Sequence, residues 1–143
     1  MIPFEKAYEE VSELVRKFDE HKDQFMAHNY QEAHVRTEFL DGFWTVLGWD
    51  VRYRKQMNPR EQEVKIEKSD TAGSTRRVDY AFQLKPDYKN IVFFCEAKKP
   101  LVDLANPDDY FRLVRYSYGA GTHVGVLTNF DEFHVIDCRY QAL

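Results

Sequence analysis

Three residues near the middle of the chain have the types and the spacing of a metal-dependent hydrolytic site. Asp79 lies in the strand-like run at 77–82, and Glu96 and Lys98 lie at the end of a second such run, 91–98. Residues two apart on a strand project to the same face, so Glu96 and Lys98 are predicted to lie side by side. A carboxylate followed by Glu-x-Lys is the minimum set for hydrolysis of a phosphodiester bond with the help of a metal ion.

The two runs are predicted to pair as a β-hairpin, because the polar residues 85–90 separate them. If Leu84 pairs with Ile91, the numbers of paired residues add up to 175, and Asp79 falls opposite Glu96. Directly opposed residues have Cβ atoms about 5 Å apart. At that separation the two carboxylates can bind one cation.

Two ionised carboxylates at this distance repel each other, which favours a cation between them. Oxygen ligands select Mg²⁺, with Mn²⁺ as a substitute, over zinc. Lys98 would orient the attacking water and offset charge in the transition state. The alternative is that Asp79, Glu96 and Lys98 form an ordinary cross-strand ion pair at a sheet edge.

The charge distribution also bears on the partner. The 143 residues carry a net charge of −4, but segment 51–100 has 12 Lys and Arg against 7 Asp and Glu, whereas segment 1–50 has 5 against 11. A polyanion would dock at this basic surplus around the candidate site. A solvated basic face is the commoner meaning of such a surplus.

Other classes of protein are disfavoured. The five histidines lack metal-ligand spacing, which argues against zinc. The Gly-rich segment 119–125 joins a predicted helix to a strand, the reverse of the order in a phosphate-binding loop. Neither a long apolar span nor a leader is recognised, so we expect a cytoplasmic protein with no membrane partner. Cys95 and Cys138 are expected to be reduced core residues.

Hydrophobic periodicity predicts one domain over residues 1–143, with two helices, four strands, a third helix and two strands. The helices are predicted at 4–25, 31–47 and 107–118, and the strands at 49–56, 63–68, 77–84, 91–98, 123–128 and 132–138. Gly48 is predicted to end the second helix, and Asn106 with Pro107 to begin the third. A polar turn is predicted at 69–75. This order indicates an α/β sandwich around a mixed sheet.

With Glu-x-Lys on a strand after Asp79, the chain resembles the PD-(D/E)xK nuclease superfamily. Further segments are similar to the nuclease domains of type I restriction subunits and of fused type IIG restriction-modification enzymes. These segments are 30–36, 39–40 and 47–51, and those that resemble type IIG most closely are 77–82, 94–100 and 127–139. The resemblance implies a restriction-endonuclease-like fold, a three-layer α/β sandwich with helices on both faces of a central mixed sheet.

The resemblance also implies roles for individual residues. Asp79 and Glu96 would be metal ligands, Lys98 the catalytic lysine, and Glu32 a further catalytic carboxylate and metal ligand. The candidates for contact with DNA phosphates are Arg36, Arg77, Lys99 and Arg112.

The chain departs from the family pattern at two positions. Val78 stands where the family name implies proline. Arg112 stands where relatives have a glutamine, four residues before Tyr116. An arginine brings charge where an amide would bridge neutral groups, so the role of this helix stays open.

The function implied is that of a Mg²⁺-dependent, site-specific DNA endonuclease domain at the N-terminal part of a longer restriction-modification protein. Its substrate would be double-stranded DNA. Target recognition and methylation would come from other domains of the same or an associated chain, and transient dimerisation would allow double-strand cleavage. Two alternatives stay open, an inactive DNA-binding or scaffolding module of the same fold, and a repair or recombination nuclease of the same superfamily.

Overall fold

The computed structural model describes residues 2–69 and 77–140, and the predicted turn at 69–75 lies almost wholly outside them. The helices are α1 (Phe4–Glu20), α2 (Lys22–Phe25), α3 (Glu32–Val35), a π-helical turn (Arg36–Leu40), α4 (Asp41–Val46) and α5 (Pro107–Gly119). The strands are β1 (Val64–Ser69), β2 (Arg77–Gln83), β3 (Ile91–Ala97), β4 (Val124–Thr128) and β5 (Phe133–Asp137). The described helices include none that is long and apolar enough to cross a membrane.

The strands form one mixed sheet in the order β1-β2-β3-β4-β5. Strands β3 and β4 are parallel, and the other neighbouring strands are antiparallel. A parallel pair needs a crossover connection, which α5 provides. Because β3 is the central strand, Glu96 lies in the middle of the sheet and not at an edge.

The predicted hairpin register is confirmed in the middle of the β2–β3 pair and is wrong at its end. Tyr80 pairs with Cys95, in agreement with the predicted sum of 175. The register then shifts after Phe82, so that Ile91 pairs with Gln83 and not with Leu84. A bulge of this kind adds one residue on one strand, and no count from the turn could anticipate it.

The second predicted helix is confirmed as a continuous helical segment, although it contains the π-helical turn at Arg36–Leu40. Within this turn the Thr37 hydroxyl donates to the carbonyl of Ala33 at 3.0 Å. Bonds of this type often bend helices. Gly48 adopts a φ of 104° after the last turn, as its predicted role in ending the helix requires.

The predicted strand at 49–56 is wrong, and the sheet therefore has five strands instead of six. The Asp50 carboxylate accepts hydrogen bonds from the backbone N–H groups of Arg54, Lys55 and Gln56 at 2.9, 2.8 and 2.7 Å. A local acceptor of this kind competes with a strand ladder for the same donors. The segment is consequently a loop that leads into β1.

Helices pack on both faces of the sheet. One core lies between the sheet and the helices of the first 46 residues, and it contains Phe18, Phe39, Trp44, Tyr80 and Phe82. A second core lies beneath α5 and contains Phe94, Leu113 and Leu127. The Asn106 side chain accepts from the N–H of Asp108 at 3.0 Å and caps α5 as predicted. The architecture confirms the predicted class, an α/β sandwich consistent with a restriction-endonuclease-like fold.

Candidate active site

Glu96 is the most deeply buried of the predicted site residues, with 3% of its surface exposed. It lies near the end of β3, on the face that α5 covers. The Nη2 atom of Arg112 donates to Glu96 Oε2 at 2.8 Å. Burial raises the pKa of the Glu96 carboxyl, and the Arg112 guanidinium opposes that shift without reversing it. The chain therefore holds a carboxylate in a poorly solvated position.

Asp79 lies on the neighbouring strand, and its side chain reaches the end of β3. Its Oδ2 accepts from the backbone N–H of Ala97 at 2.7 Å, and its Oδ1 lies 3.3 Å from Nη1 of Arg36. Burial raises the pKa of Asp79, while the Ala97 hydrogen bond and Arg36 oppose the shift. The bond to Ala97 places the Asp79 carboxylate against the residue that follows Glu96, one position beyond the predicted partner of Asp79.

Lys98 lies beyond the end of β3 on the same side as Glu96. Its backbone N–H donates to the carbonyl of Thr128 at 2.8 Å, which continues the alignment of β3 with β4. Its Nζ lies 3.4 Å from Oδ1 of Asp109 in α5. The side chains of Lys98 and Glu96 thus both contact residues of α5.

Glu32 begins α3 and is half-buried. Burial raises the pKa of its carboxyl, and repulsion from Asp79 and Glu96 raises it further, whereas Lys98 and Arg36 lower it. Glu32 therefore interacts electrostatically with the other predicted site residues.

Arg36 connects the helical layer to the sheet. Besides its contact with Asp79, its Nη2 lies 3.3 Å from Oε1 of Glu67. Arg36 is also the first residue of the π-helical turn, and such turns are frequent at functional sites. The prediction that Arg36 lies at the site is supported by its contacts with the sheet, which an arginine paired only along its own helix would not make.

Two site residues were missed by the sequence reasoning. Glu67 of β1 faces Asp79, because the flanking pairs are Ile66–Tyr80 and Lys68–Val78. Its backbone has a φ of 52°, which is unusual for a residue other than glycine, and strained residues of this kind cluster at active sites. The sequence reasoning predicted no register of β1 against β2.

Asp109 is the second missed residue. Its carboxylate lies between Lys98 at 3.4 Å and Nη2 of Arg112 at 3.8 Å. The position of Asp109 three residues before Arg112 was a signal that could have identified it, because residues at this spacing share a helix face.

The three remaining candidate phosphate contacts lie at the start of β2, after β3 and in α5. Arg77 is the first residue of β2, but its side chain lies outside the described part of the chain. Lys99 directly follows Lys98 and is half-buried. Arg112, whose role the sequence left open, is the charged partner of Glu96.

The charges of the site fit a divalent cation. Among the described side chains that these ion pairs and charge interactions join, carboxylates outnumber cationic groups by five to three, a formal surplus of two negative charges. The acids are Glu32, Glu67, Asp79, Glu96 and Asp109, and the bases are Arg36, Lys98 and Arg112. Burial and mutual repulsion raise the pKa values of several of these acids, and a cation would relieve both effects.

The site residues would bind a metal ion through few protein ligands and would not enclose it completely. No group of three or more Asp, Glu, His or Cys side chains within residues 2–69 and 77–140 is placed to hold a metal by itself. Mg²⁺ commonly binds through only one or two carboxylates and keeps several waters. Glu96 and Asp79 meet that smaller requirement.

Comparison with known proteins finds a similarity to a restriction enzyme. Over 138 residues the chain is 32% identical to the type II restriction enzyme and methyltransferase RM.Eco57I of Escherichia coli. The aligned region is 94% of this chain and 14% of that protein, so the chain spans about one seventh of its relative's length. No family model matches the chain, and no solved structure matches it. Membership of the PD-(D/E)xK superfamily stays a prediction, and the chain is similar to one segment of a restriction enzyme and methyltransferase.

Proposed function

We propose that this chain is a nuclease domain that hydrolyses phosphodiester bonds of double-stranded DNA with Mg²⁺. The observation that carries the proposal is the placement of buried Glu96 beside Asp79 and Lys98 in the middle of the sheet. A purely structural ion pair would not require two carboxylates whose pKa values are both raised by burial. The similarity to a restriction enzyme and methyltransferase supports the same function.

Each residue has a distinct part in this proposal. Asp79 and Glu96 would hold the ion, and Glu32 would add negative charge beside them. When bound, Mg²⁺ would supply Lewis-acid stabilisation of the charge that develops on the phosphate. Lys98 would orient the attacking water and donate to a phosphate oxygen, for which its ammonium group has three N–H donors.

Contact with DNA would be made chiefly by cationic side chains at the rim of the site. Arg36 and Arg112 are the best placed of the four candidates, since both guanidinium groups already lie against the carboxylates. Lys99 and Arg77 would add charge nearby. Contacts to phosphate position a protein on DNA without reading its sequence.

Sequence recognition and methylation would therefore come from other domains of a longer, type IIG-like protein. Its relative is named as both a restriction enzyme and a methyltransferase, and this chain matches only a small part of it. A single site cuts one strand at a time, so double-strand cleavage would use transient pairing of two copies. The chain alone is expected to nick DNA weakly and without sequence preference.

Nicking of supercoiled plasmid DNA tests the proposal. Wild-type protein should convert the plasmid to the open circle with Mg²⁺ or Mn²⁺, and EDTA should stop the reaction. Glu96→Ala, Glu96→Gln and Lys98→Ala should each lower the rate by about a hundredfold or more, because they remove a ligand or the positioned ammonium. Because Glu96→Gln keeps the shape of the side chain, it distinguishes a loss of nicking activity caused by the missing charge from one caused by misfolding.

Matched controls are available at exposed positions. Glu61→Ala and Lys89→Ala remove the same charges far from the site residues in the fold and should nick at the wild-type rate. Equal activity of wild type, Glu96→Gln and Lys98→Ala would refute the assignment of the site.

A second function is favoured by one specific observation. Asp79 and Glu96 each contact an arginine of the chain itself, and such pairs could replace a metal in a module that binds DNA without cutting it. In that case the protein would retard DNA in a gel shift with EDTA present, and neither Mg²⁺ nor Mn²⁺ would produce nicks.

A further inference from the structure

One guanidinium nitrogen of Arg112 lies near two carboxylates, and it is closer to one of them than to the other. Nη2 of Arg112 is 2.8 Å from Oε2 of Glu96 and 3.8 Å from Oδ1 of Asp109. The second acceptor is therefore about one ångström farther from the same atom than the first. A small movement of one side chain would exchange the partners.

Asp109 is held in place to accept that exchange. Its side chain is 14% exposed, and its Oδ1 contacts Nζ of Lys98 at 3.4 Å. A carboxylate fixed by one cation can accept a second with its remaining lone pairs. Asp109 thus keeps its position whether or not Arg112 contacts it.

Arg112 is able to make the movement. Its side chain is 43% exposed, in contrast to that of Glu96 at 5%. Its Nε is buried and has no hydrogen-bond partner among the described residues, so the present pose leaves one donor unused. Glu96 is fixed within a central strand, and the arginine is consequently the partner that can move.

We propose that Asp109 is a positioning residue that accepts Arg112 when Glu96 becomes a metal ligand. This inference rests on the proposed function. A guanidinium and a divalent cation compete for the same oxygen of Glu96. If Arg112 had no other partner, it would stay paired with Glu96 and oppose binding of the metal. Asp109 lowers the cost of releasing Glu96, because it offers the arginine a new charged acceptor on its own helix.

Mn²⁺ binding, followed by electron paramagnetic resonance of the free ion, measures this coupling without any catalytic step. Arg112→Gln should bind Mn²⁺ about fivefold to tenfold more tightly than wild type, since the competing cation is gone. Asp109→Asn should weaken binding by about fivefold in the presence of Arg112. In the Arg112→Gln background the same Asp109→Asn change should have an effect of about twofold or less.

The double-mutant cycle separates the proposal from simple electrostatics. If Asp109 acted only as a nearby negative charge, Asp109→Asn would weaken Mn²⁺ binding equally in both backgrounds, and that result would overturn the proposal. Asp108→Asn makes the same charge change on the preceding, exposed residue and should leave the affinity within about twofold of wild type. Circular dichroism checks the fold of each variant, and Asp109→Ser replaces Asp109→Asn if the latter does not fold.

The outcome also separates this inference from the proposed function. Mn²⁺ binding with an additive cycle overturns the role of Asp109 alone. Absence of Mn²⁺ binding in wild type and in Arg112→Gln overturns both the role of Asp109 and the proposed nuclease function.

Discussion

The Arg112 guanidinium donates to the Glu96 carboxylate at 2.8 Å, and this bond joins α5 to the central strand of the sheet. Glu96 is almost fully buried, and its ion pair with Arg112 stabilises the ionised form of the carboxyl. Removal of one partner from such a pair leaves the other uncompensated. The pair therefore links the stability of the domain to the candidate metal site.

Removal of Arg112 is expected to destabilise the metal-free protein. Arg112→Ala should lower the free energy of unfolding by about 1–3 kcal/mol, the usual cost of leaving a buried polar group without its partner. Glu96→Gln should cost less, because a neutral amide is easier to bury than a carboxylate. Urea unfolding in EDTA measures both values. Equal losses for the two variants would contradict this interpretation of the pair.

Gly125 of β4 is expected to tolerate no side chain. A Cβ at this position would lie 2.8 Å from Cγ of Leu113 and 3.2 Å from Sγ of Cys138. Gly125→Ala should therefore destabilise the protein by about 1–3 kcal/mol, because α5 would have to move away from the sheet.

Gly119 supplies the control for that substitution. A Cβ there meets no atom within 4 Å. Gly119→Ala should consequently leave the unfolding midpoint unchanged or raise it slightly. Similar thermal midpoints for Gly125→Ala and Gly119→Ala would show that α5 is not packed as closely as described.

Glu67 is expected to store backbone strain at the site. Its φ of 52° costs an L-residue about 1–2 kcal/mol relative to glycine. Glu67→Gly should accordingly be about 1 kcal/mol more stable than Glu67→Ala, although both variants lose the contact with Arg36. Parallel urea titrations provide the comparison, and a more stable Glu67→Ala would rule out strain at this position.

Asp50 is expected to make stability depend on pH in the acid range. Burial would raise the pKa of its carboxyl, but hydrogen bonds from the N–H groups of Gln56, Lys55 and Arg54 outweigh it and hold the pKa below its ordinary value. A lowered pKa stabilises the folded state above the unfolded value of about 3.9, and this contribution is lost as the pH falls through the folded value.

Asp50→Ala should therefore be less stable than wild type by about 1–3 kcal/mol at pH 7. The difference should shrink as the pH falls below about 4. Thermal unfolding of both proteins between about pH 2 and pH 7 measures it, with Glu61→Ala as the exposed control. A difference that is constant over this range would assign the effect of Asp50 to packing and not to its charge.

Features set by nearby residues could be predicted from the sequence. Helix α1 follows from apolar residues at every third or fourth position, and α5 follows from Asn106 and Pro107 at its start. The Tyr80–Cys95 pairing agrees with the register counted for the predicted hairpin. The same register anticipated that Asp79 lies close to the end of β3.

Features that depend on competition between alternative backbone hydrogen bonds could not be predicted. The strand expected at 49–56 has a suitable composition, yet three hydrogen bonds to Asp50 satisfy its backbone as a loop. The bulge between Phe82 and Gln83 likewise leaves no clear trace in residue type. In both places alternative hydrogen bonds of similar strength compete, and the surrounding fold decides between them.

The sequence by itself determined which strands carry Asp79 and Glu96 and that Lys98 directly follows the second of these strands, because strand alternation and hairpin pairing are local properties. Only the tertiary structure decided that Arg112 pairs with Glu96, that Asp109 stands between Arg112 and Lys98, and that Glu67 faces Asp79. These contacts join elements that are distant in the chain, and their geometry depends on how α5 and β1 pack against the sheet. The raised pKa values of Asp79 and Glu96 also depend on the tertiary structure, because they follow from burial, which the pattern of residues does not predict.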